Sequence, residues 1–366
     1  MKGSRLNIQA IMLIAILTML CGCKGGRTTS FVSADASTAD GDTIEMRYAK
    51  LLRMVRLDSQ TVHVDIVNPW NTSAVLRSYD ISAPFGRAAV SSSAHCSLID
   101  ELGKTGCISG VFDAEYCNND NVRKALDSGK ILNFGNSMAP DMERLIDASP
   151  DALLLIPFEN GGVYGTMDQL GVPVIECADY MEEGPLARAE WMKFYGLLFG
   201  CYDEACALFG QVEAEYDALM HAKGGKSVVL DLITGSTWYQ PGGNSTIGLM
   251  LTDAGADYPF AGHPQQGSLA LSPETVFDEC QDADVWLIRY TDAADKTYDQ
   301  LARDNRMYGQ MQAYKNRSVY GCNLQYVRFF EETPFHPERL LKDFVKIFHP
   351  DELPDYELKY FTPLSE

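Results

Sequence analysis

Positive charge is scarce in this chain. It has 30 lysines and arginines against 50 aspartates and glutamates, a formal net charge of −20 over 366 residues. A phosphate backbone would be repelled by that balance, so nucleic acid is excluded as a partner. Only 6 histidines occur, scattered without metal-ligand spacing, and no H-E-x-x-H, P-loop or G-x-S-x-G pattern is present. Asn160-Gly161-Gly162 follows an apolar strand but lacks G-x-G-x-x-G, which argues against a dinucleotide. A hydrolase would need a nucleophile and a base that converge. Ser93 and His95 are the nearest pair, and two residues apart on one loop they are badly placed for proton transfer. The chain therefore reads as a binding protein without a resident cofactor or metal, not as an enzyme. C-x-x-C spacing is missing too, and the settings of Cys96, Cys107, Cys117, Cys177, Cys201, Cys206, Cys280 and Cys322 suit buried thiols as well as bridges. No disulfide is assigned.

Long apolar runs are equally scarce. The one at residues 10–20 follows Lys2 and Arg5, is too short to span a bilayer, and has the build of a signal peptide. It ends in Leu20-Cys21-Gly22-Cys23, which looks like a bacterial lipobox. The small Gly22 marks Cys23 as the lipidated residue; an ordinary secretory peptide with two incidental cysteines is the alternative. Processing of the signal segment, residues 1–23, leaves behind the lipidated Cys23 a tether over 24–43, rich in Gly, Ser, Thr, Ala and Asp and too poor in apolar residues to fold. One anchor and a flexible leash place a soluble, monomeric body at the periplasmic face of a bacterial membrane.

That body is longer than one core comfortably organises. Thr61-Val62-His63-Val64-Asp65-Ile66-Val67 alternates apolar and polar residues, and Asn68-Pro69-Trp70-Asn71 turns the chain into a second run at 75–79, giving a hairpin with His63 on its solvated face. Short apolar strands then alternate with helices, with strands over 87–92, 108–111, 130–134, 152–156 and 172–175. A helix over 203–221 follows. Its residues Ala205, Leu208, Phe209, Val212, Tyr216, Leu219 and Met220 recur three or four apart, and at about 1.5 Å per residue it spans nearly 30 Å. The alternation resumes with strands over 227–233, 284–289 and 318–321 and a last helix over 337–348. The fold class is α/β: two Rossmann-like lobes with central parallel sheets, 44–200 with its preceding hairpin and 224–366, joined by a single long helix over 201–223. Ligands in such sheets sit beyond the carboxyl ends of the strands.

One segment occurs twice. Asp141-Met142-Glu143-Arg144-Leu145-Ile146 precedes the strand opened by Ser149-Pro150-Asp151, and Ser272-Pro273-Glu274-Thr275-Val276-Phe277 precedes the strand opened by Asp282-Ala283-Asp284. Each puts a glutamate in the first turn of a helix, where stabilising the helix N-terminus is the simplest role. With the lipobox and the single interlobe helix, these segments resemble the periplasmic binding proteins of ABC importers for vitamin B12, ferric siderophores and haem. The resemblance runs from about Arg87 to His349. It implies that Glu143 and Glu274, one on each lobe, dock the two subunits of an importer permease through arginines. The preceding hairpin and the long loop over 255–271 depart from the family, so its ligand contacts do not carry over.

The expected ligand is a metal chelate, an iron-siderophore or haem, with a corrinoid as the close alternative and a permease-independent scavenger as a further one. The loops after the strands offer Asn136, Ser137, Met138, Phe158 and Tyr180 from one lobe and Trp238, Tyr239, Tyr290 and Tyr326 from the other, among other aromatics such as Phe112 and Tyr116. Rigid aromatic walls with a few polar groups suit large planar chelates, although any of these rings also suits a core. Trp238 and Tyr239 lie in a stretch with Gly235, Pro241 and Gly242 that reads as an exposed loop. Arg289 and Arg328 can meet a carboxylate or propionate, or pair with a nearby acid. His95 can ligate a haem or cobalt centre axially, or be an ordinary hydrogen-bonding residue.

Overall fold

A computed structural model describes residues 41–159, 164–220 and 224–366. The signal segment, Cys23, most of the expected tether, the Asn160-Gly161-Gly162 stretch and His221 lie outside the described residues. No described helix is long and apolar enough to cross a membrane.

The expected hairpin is half of a larger element. Strands β1 (Asp42–Ile44), β2 (Leu52–Arg56), β3 (Val62–Val67) and β4 (Val75–Ile81) form one antiparallel sheet in that order. Two buried carboxylates bolt it to the first lobe: Glu190 accepts the backbone N–H groups of Arg47, Tyr48 and Ala49, and Glu182 those of Lys50 and Leu51. His63 is not solvated, as its place in the alternation suggests. It is buried, with Nδ1 2.7 Å from Asp80 and Nε2 3.1 Å from Asp65, because the strand is covered on both faces.

The first lobe is built on β5 (Ala88–Val90), β6 (Ile108–Val111), β7 (Leu132–Asn133), β10 (Ala152–Leu155) and β11 (Val174–Glu176), with a small antiparallel ribbon of β8 (Gly135–Asn136) and β9 (Ala139–Pro140) beside it. The five strands are all parallel, in the order β11-β10-β5-β6-β7. Chain direction reverses its progress between β5 and β10, which is the topological switch point where open α/β sheets hold ligands. Every residue of β5, β6 and β10 is buried, as a parallel sheet covered on both faces requires.

The interlobe helix runs Tyr202–Leu219 and buries Ala205, Phe209, Val212 and Tyr216, spaced as the sequence predicts. It packs against helix Met192–Leu198 on one side and helix Pro337–Phe348 on the other, so both lobes hold it. The first contact is close enough to require glycine: a Cβ on Gly196 would lie 2.4 Å from that of Ala205. Tyr216 fixes the other end by donating to Asp253 at 2.6 Å.

In the second lobe β12 (Val228–Leu230), β16 (Val285–Tyr290) and β17 (Val319–Asn323) are parallel, and β18 (Thr362–Pro363) closes the edge antiparallel. A second sheet, β13 (Ile233–Thr234), β14 (Thr237–Pro241) and β15 (Ser268–Leu271), occupies stretches whose glycines and prolines read as loop. Gly235 at φ 61° makes the tight turn that joins β13 to β14. The eight cysteines from Cys96 to Cys322 are free thiols.

Candidate functional site

The carboxyl ends of β5, β6 and β10 come together because their ladder bonds continue into the loops: Ser91 N–H donates to Leu154 and Phe112 N–H to Val90. These ends form one wall of a cleft of about 670 Å³. Ser91, Ser92 and Ser93 lead into helix Ser93–Glu101, whose N-cap Ser92 makes no side-chain capping bond, and the Ser91 hydroxyl is buried without a partner. Phe112, Asp113, Glu115, Tyr116 and Asn118 follow β6, and Ile156 follows β10. The opposite wall comes from the second lobe, with Thr291 after β16 and Leu324, Gln325, Val327 and Phe330 after β17. Tyr116 and Phe330 stand 67% and 58% exposed across this space, which no core requires of aromatic rings.

Side-chain hydrogen bonds tie the loops of both walls. Asp113, in the left-handed region at φ 48°, accepts from Asn136 Nδ2 at 3.0 Å and from the Ser137 backbone N–H. Asn323 clamps the two loops of the second lobe, accepting from Asp292 and Gln325 N–H and donating to the Asp292 carbonyl. Beside the cleft the lobes touch directly: buried Glu331 accepts from Asn118 N–H at 2.6 Å and Asn119 N–H at 3.2 Å. Burial raises the pKa of this carboxyl, and the two N–H groups partly oppose that. Farther out, His336 sits 2.6 Å from Glu101 of the first lobe and 2.9 Å from Glu338. Burial works against its charged form, but the two carboxylates outweigh burial and raise its pKa.

The expected site residues divide into three groups. Asn136 and Ser137 support Asp113 from behind, while Met138 is exposed at the ribbon tip. Phe158, Tyr180 and Tyr326 are exposed in loops next to the lining: Phe158 meets Tyr164 edge-on, Tyr180 donates to the Pro157 carbonyl at 2.8 Å, and Tyr326 donates to that of Ala293 at 2.7 Å. The remainder are tied elsewhere. His95 is not on a loop; the helix begins at Ser93 and buries it, with Nε2 2.8 Å from Asp179 and 2.9 Å from the Tyr195 hydroxyl.

Trp238 is corrected from exposed loop to core: it is 0% exposed, donates to the carbonyls of Leu230 and Asp231, and packs on Trp286 and Tyr308. Tyr239 points the other way from the same strand and is exposed, outside the cleft lining. Arg289 is held by both oxygens of Asp231, Arg328 lies 3.1 Å from Glu332, and the Tyr290 hydroxyl accepts from Lys296 N–H. Both arginines are thus paired with nearby acids.

The sequence reading passed over Ser91, Asp113, Glu115, Ile156, Thr291, Gln325 and Phe330 as lining residues. Their signal was position alone, since several stand within two residues of the end of a parallel strand. Two substitutions separate core from cleft. Trp238→Phe removes a buried donor and is expected to cost about 2 kcal/mol of stability in denaturant unfolding with ligand affinity unchanged. Tyr239→Ala should stay within about 0.5 kcal/mol and also leave affinity unchanged; a weakened ligand would place the site on this sheet instead.

The arrangement has known counterparts. A lipoprotein of Methanocaldococcus jannaschii, uncharacterized, is 22% identical over 96% of this chain and 94% of its own. A solved periplasmic binding protein from Veillonella parvula covers 79% of this chain and 98% of its own at a TM-score of 0.62 and 15% identity. A solved protein of an ABC-type Fe3+-hydroxamate transport system from Saccharomonospora viridis covers 78% and 98% at a TM-score of 0.58 and 18% identity. The sequence profile of the family described as periplasmic binding protein matches residues 89–326, which takes in both cleft walls up to Tyr326. The chain belongs to the periplasmic binding protein family, the substrate-binding components of ABC transporters.

Proposed function

We propose that this protein captures a metal chelate, an iron-siderophore complex or haem, and delivers it to the permease dimer of an ABC importer while held to the membrane by a lipid on Cys23. The observation that carries this reading is the cleft of about 670 Å³ at the switch point, with exposed Tyr116 and Phe330 on facing lobes. Rings left open to solvent on hydrogen-bonded loops are prepared for a large, partly apolar ligand, and the iron-hydroxamate system of the Saccharomonospora viridis protein supports the same class. A corrinoid would use the same facing rings and is the second reading.

Docking falls to Glu143 and Glu274. Both are exposed in the first turn of their helices, and capping is done by other residues: Asp141 accepts from Arg144 N–H and Ser272 from Thr275 N–H, each at 3.1 Å. The lobes are taken as 44–200 and 224–366 with the helix between them as spacer. One stiff rod limits their relative movement to a small hinge. The test is spectroscopic. Purified protein titrated with haem, cobalamin and ferric siderophores should perturb the visible absorption of its ligand and quench protein fluorescence saturably; no response to any of them removes this reading.

A further inference from the structure

The cleft's lining has a definite sign of charge. Asp113 and Glu115 are its two acidic side chains, and no lysine, arginine or histidine lines it. The segments that build it, 91–93, 112–118, 156, 291 and 324–330, contain a single basic residue, Arg328, which is outside the lining and lies 3.1 Å from Glu332, a carboxylate it shares with Lys359. The described residues that follow Ile156, namely Pro157, Phe158 and Glu159, add one acid and no base. Arg289 gives both arms of its fork to Asp231, and Arg123, which lies outside the lining, donates to the Ala114 and Cys117 carbonyls behind it. The remaining polar groups, Ser91, Ser92, Ser93, Asn118, Thr291 and Gln325, are neutral hydroxyls and amides.

Resting on the reading of this cleft as the chelate site, we infer that it selects chelates with no net negative charge, such as a neutral or cationic ferric trihydroxamate or a neutral corrinoid, and discriminates against haem and against catecholate or carboxylate siderophores. An anionic ligand entering here would lose water and meet two carboxylates with no lysine or arginine in the lining, whereas neutral carbonyl and amide oxygens find donors in the serines, Asn118 and Gln325. The field of a chain at −20 acts in the same direction, drawing in cationic complexes and slowing anionic ones before contact. Aromatic faces at Tyr116 and Phe330 also favour an apolar or cationic surface over an anionic one. Tight binding of haem propionates would need an arginine released from Asp231 or Glu332.

The experiment is a charge-ranked panel on the intact protein, read by fluorescence quenching. Its ligands are a neutral cyclic ferric trihydroxamate, a linear ferric trihydroxamate bearing a free ammonium, cyanocobalamin, haem and a trianionic ferric tricatecholate. The tightest binders should come from the first three, with haem and the tricatecholate at least about a hundredfold weaker. For the ammonium-bearing complex, affinity should fall as ionic strength rises from about 0.01 to about 0.1 M, where the screening length shrinks from about 30 to about 10 Å. Glu115 is exposed and within the lining, so Glu115→Lys should fold normally and improve the tricatecholate roughly tenfold while weakening the ammonium-bearing complex by a similar factor. An anionic chelate that binds as tightly as the neutral ones, or a Glu115→Lys protein indifferent to ligand charge, overturns the inference and leaves the chelate reading standing. Failure of every chelate to bind overturns both.

Discussion

Cells carrying Glu143→Ala together with Glu274→Ala are expected to lose chelate uptake while the purified variant keeps its ligand affinity. Both carboxylates are exposed and neither makes a hydrogen bond or ion pair among the described residues, so alanine removes no contact within the chain. The helices keep their N-caps on Asp141 and Ser272, and stability should change by less than about 0.5 kcal/mol per site. In solution an exposed ion pair contributes at most about 1 kcal/mol. Once the surfaces have closed on a partner, losing one member of a desolvated pair costs about 2–5 kcal/mol, so two such losses would empty the docked state. Either substitution alone should lower uptake partially, because one lobe still registers on its subunit. Normal transport by the double variant, at wild-type protein levels, would remove these glutamates from docking.

What the sequence made legible follows from how locally each feature is determined. The interlobe helix was visible because Ala205, Phe209, Val212 and Tyr216 repeat at helical spacing, and only its ends moved, to Tyr202 and Leu219. The parallel strands were visible as continuous apolar runs, but the site residues chosen beyond their carboxyl ends were not those that line the cleft: His95, Asn136, Phe158, Tyr180 and Tyr326 all lie outside its lining. Long-range pairing was not visible. Trp238 and Tyr239 read as loop because Gly235, Pro241 and Gly242 surround them, yet β14 pairs with β15 across some thirty residues, and that pairing buries one ring and exposes the next. The partners of Arg289 and His63 were hidden for the same reason: Asp231 and Asp80 are brought in by neighbouring strands. The misplacement of His95 was local. The sequence puts Ser93 and His95 on one loop, whereas Ser92 takes the N-cap position and puts His95 inside the first turn of the helix.

That histidine belongs to the unit whose disruption should cost the protein most stability. Asp179, in the turn Ala178–Met181 after β11, is fully buried; its Oδ1 accepts from His95 Nε2 and from the Tyr195 hydroxyl, both at 2.8 Å, and its Oδ2 from Arg188 Nε at 3.0 Å. Burial alone would push its pKa up, but His95, Arg188 and Tyr195 outweigh burial and hold it at about 2. A carboxyl depressed in the folded state stabilises the fold above its ordinary pKa near 4, and that stability is lost as pH falls from about 4 to about 2. The displacement corresponds to about 2–3 kcal/mol at neutral pH. Asp179→Ala should cost more, about 3–5 kcal/mol, because it also strands buried His95, Tyr195 and the half-buried guanidinium of Arg188. Asp179→Asn keeps the shape and one acceptor, so its loss should approach the linkage value alone. Denaturant unfolding across pH 7 to pH 2 separates these contributions: wild type and Asp179→Asn should differ at pH 7 and converge as the acid limit is reached. Parallel curves over that range would mean that the Asp179 charge contributes nothing to the fold. His95 sits in the first turn of the helix that follows Ser91 and Ser92 out of the cleft floor, and its ring packs 5.9 Å from Phe335 of the second lobe. Its role is then to position the cleft floor: His95→Ala should lower stability, couple strongly to Asp179→Asn in a double-mutant cycle, and leave any metal-centred absorption band of the bound chelate unshifted.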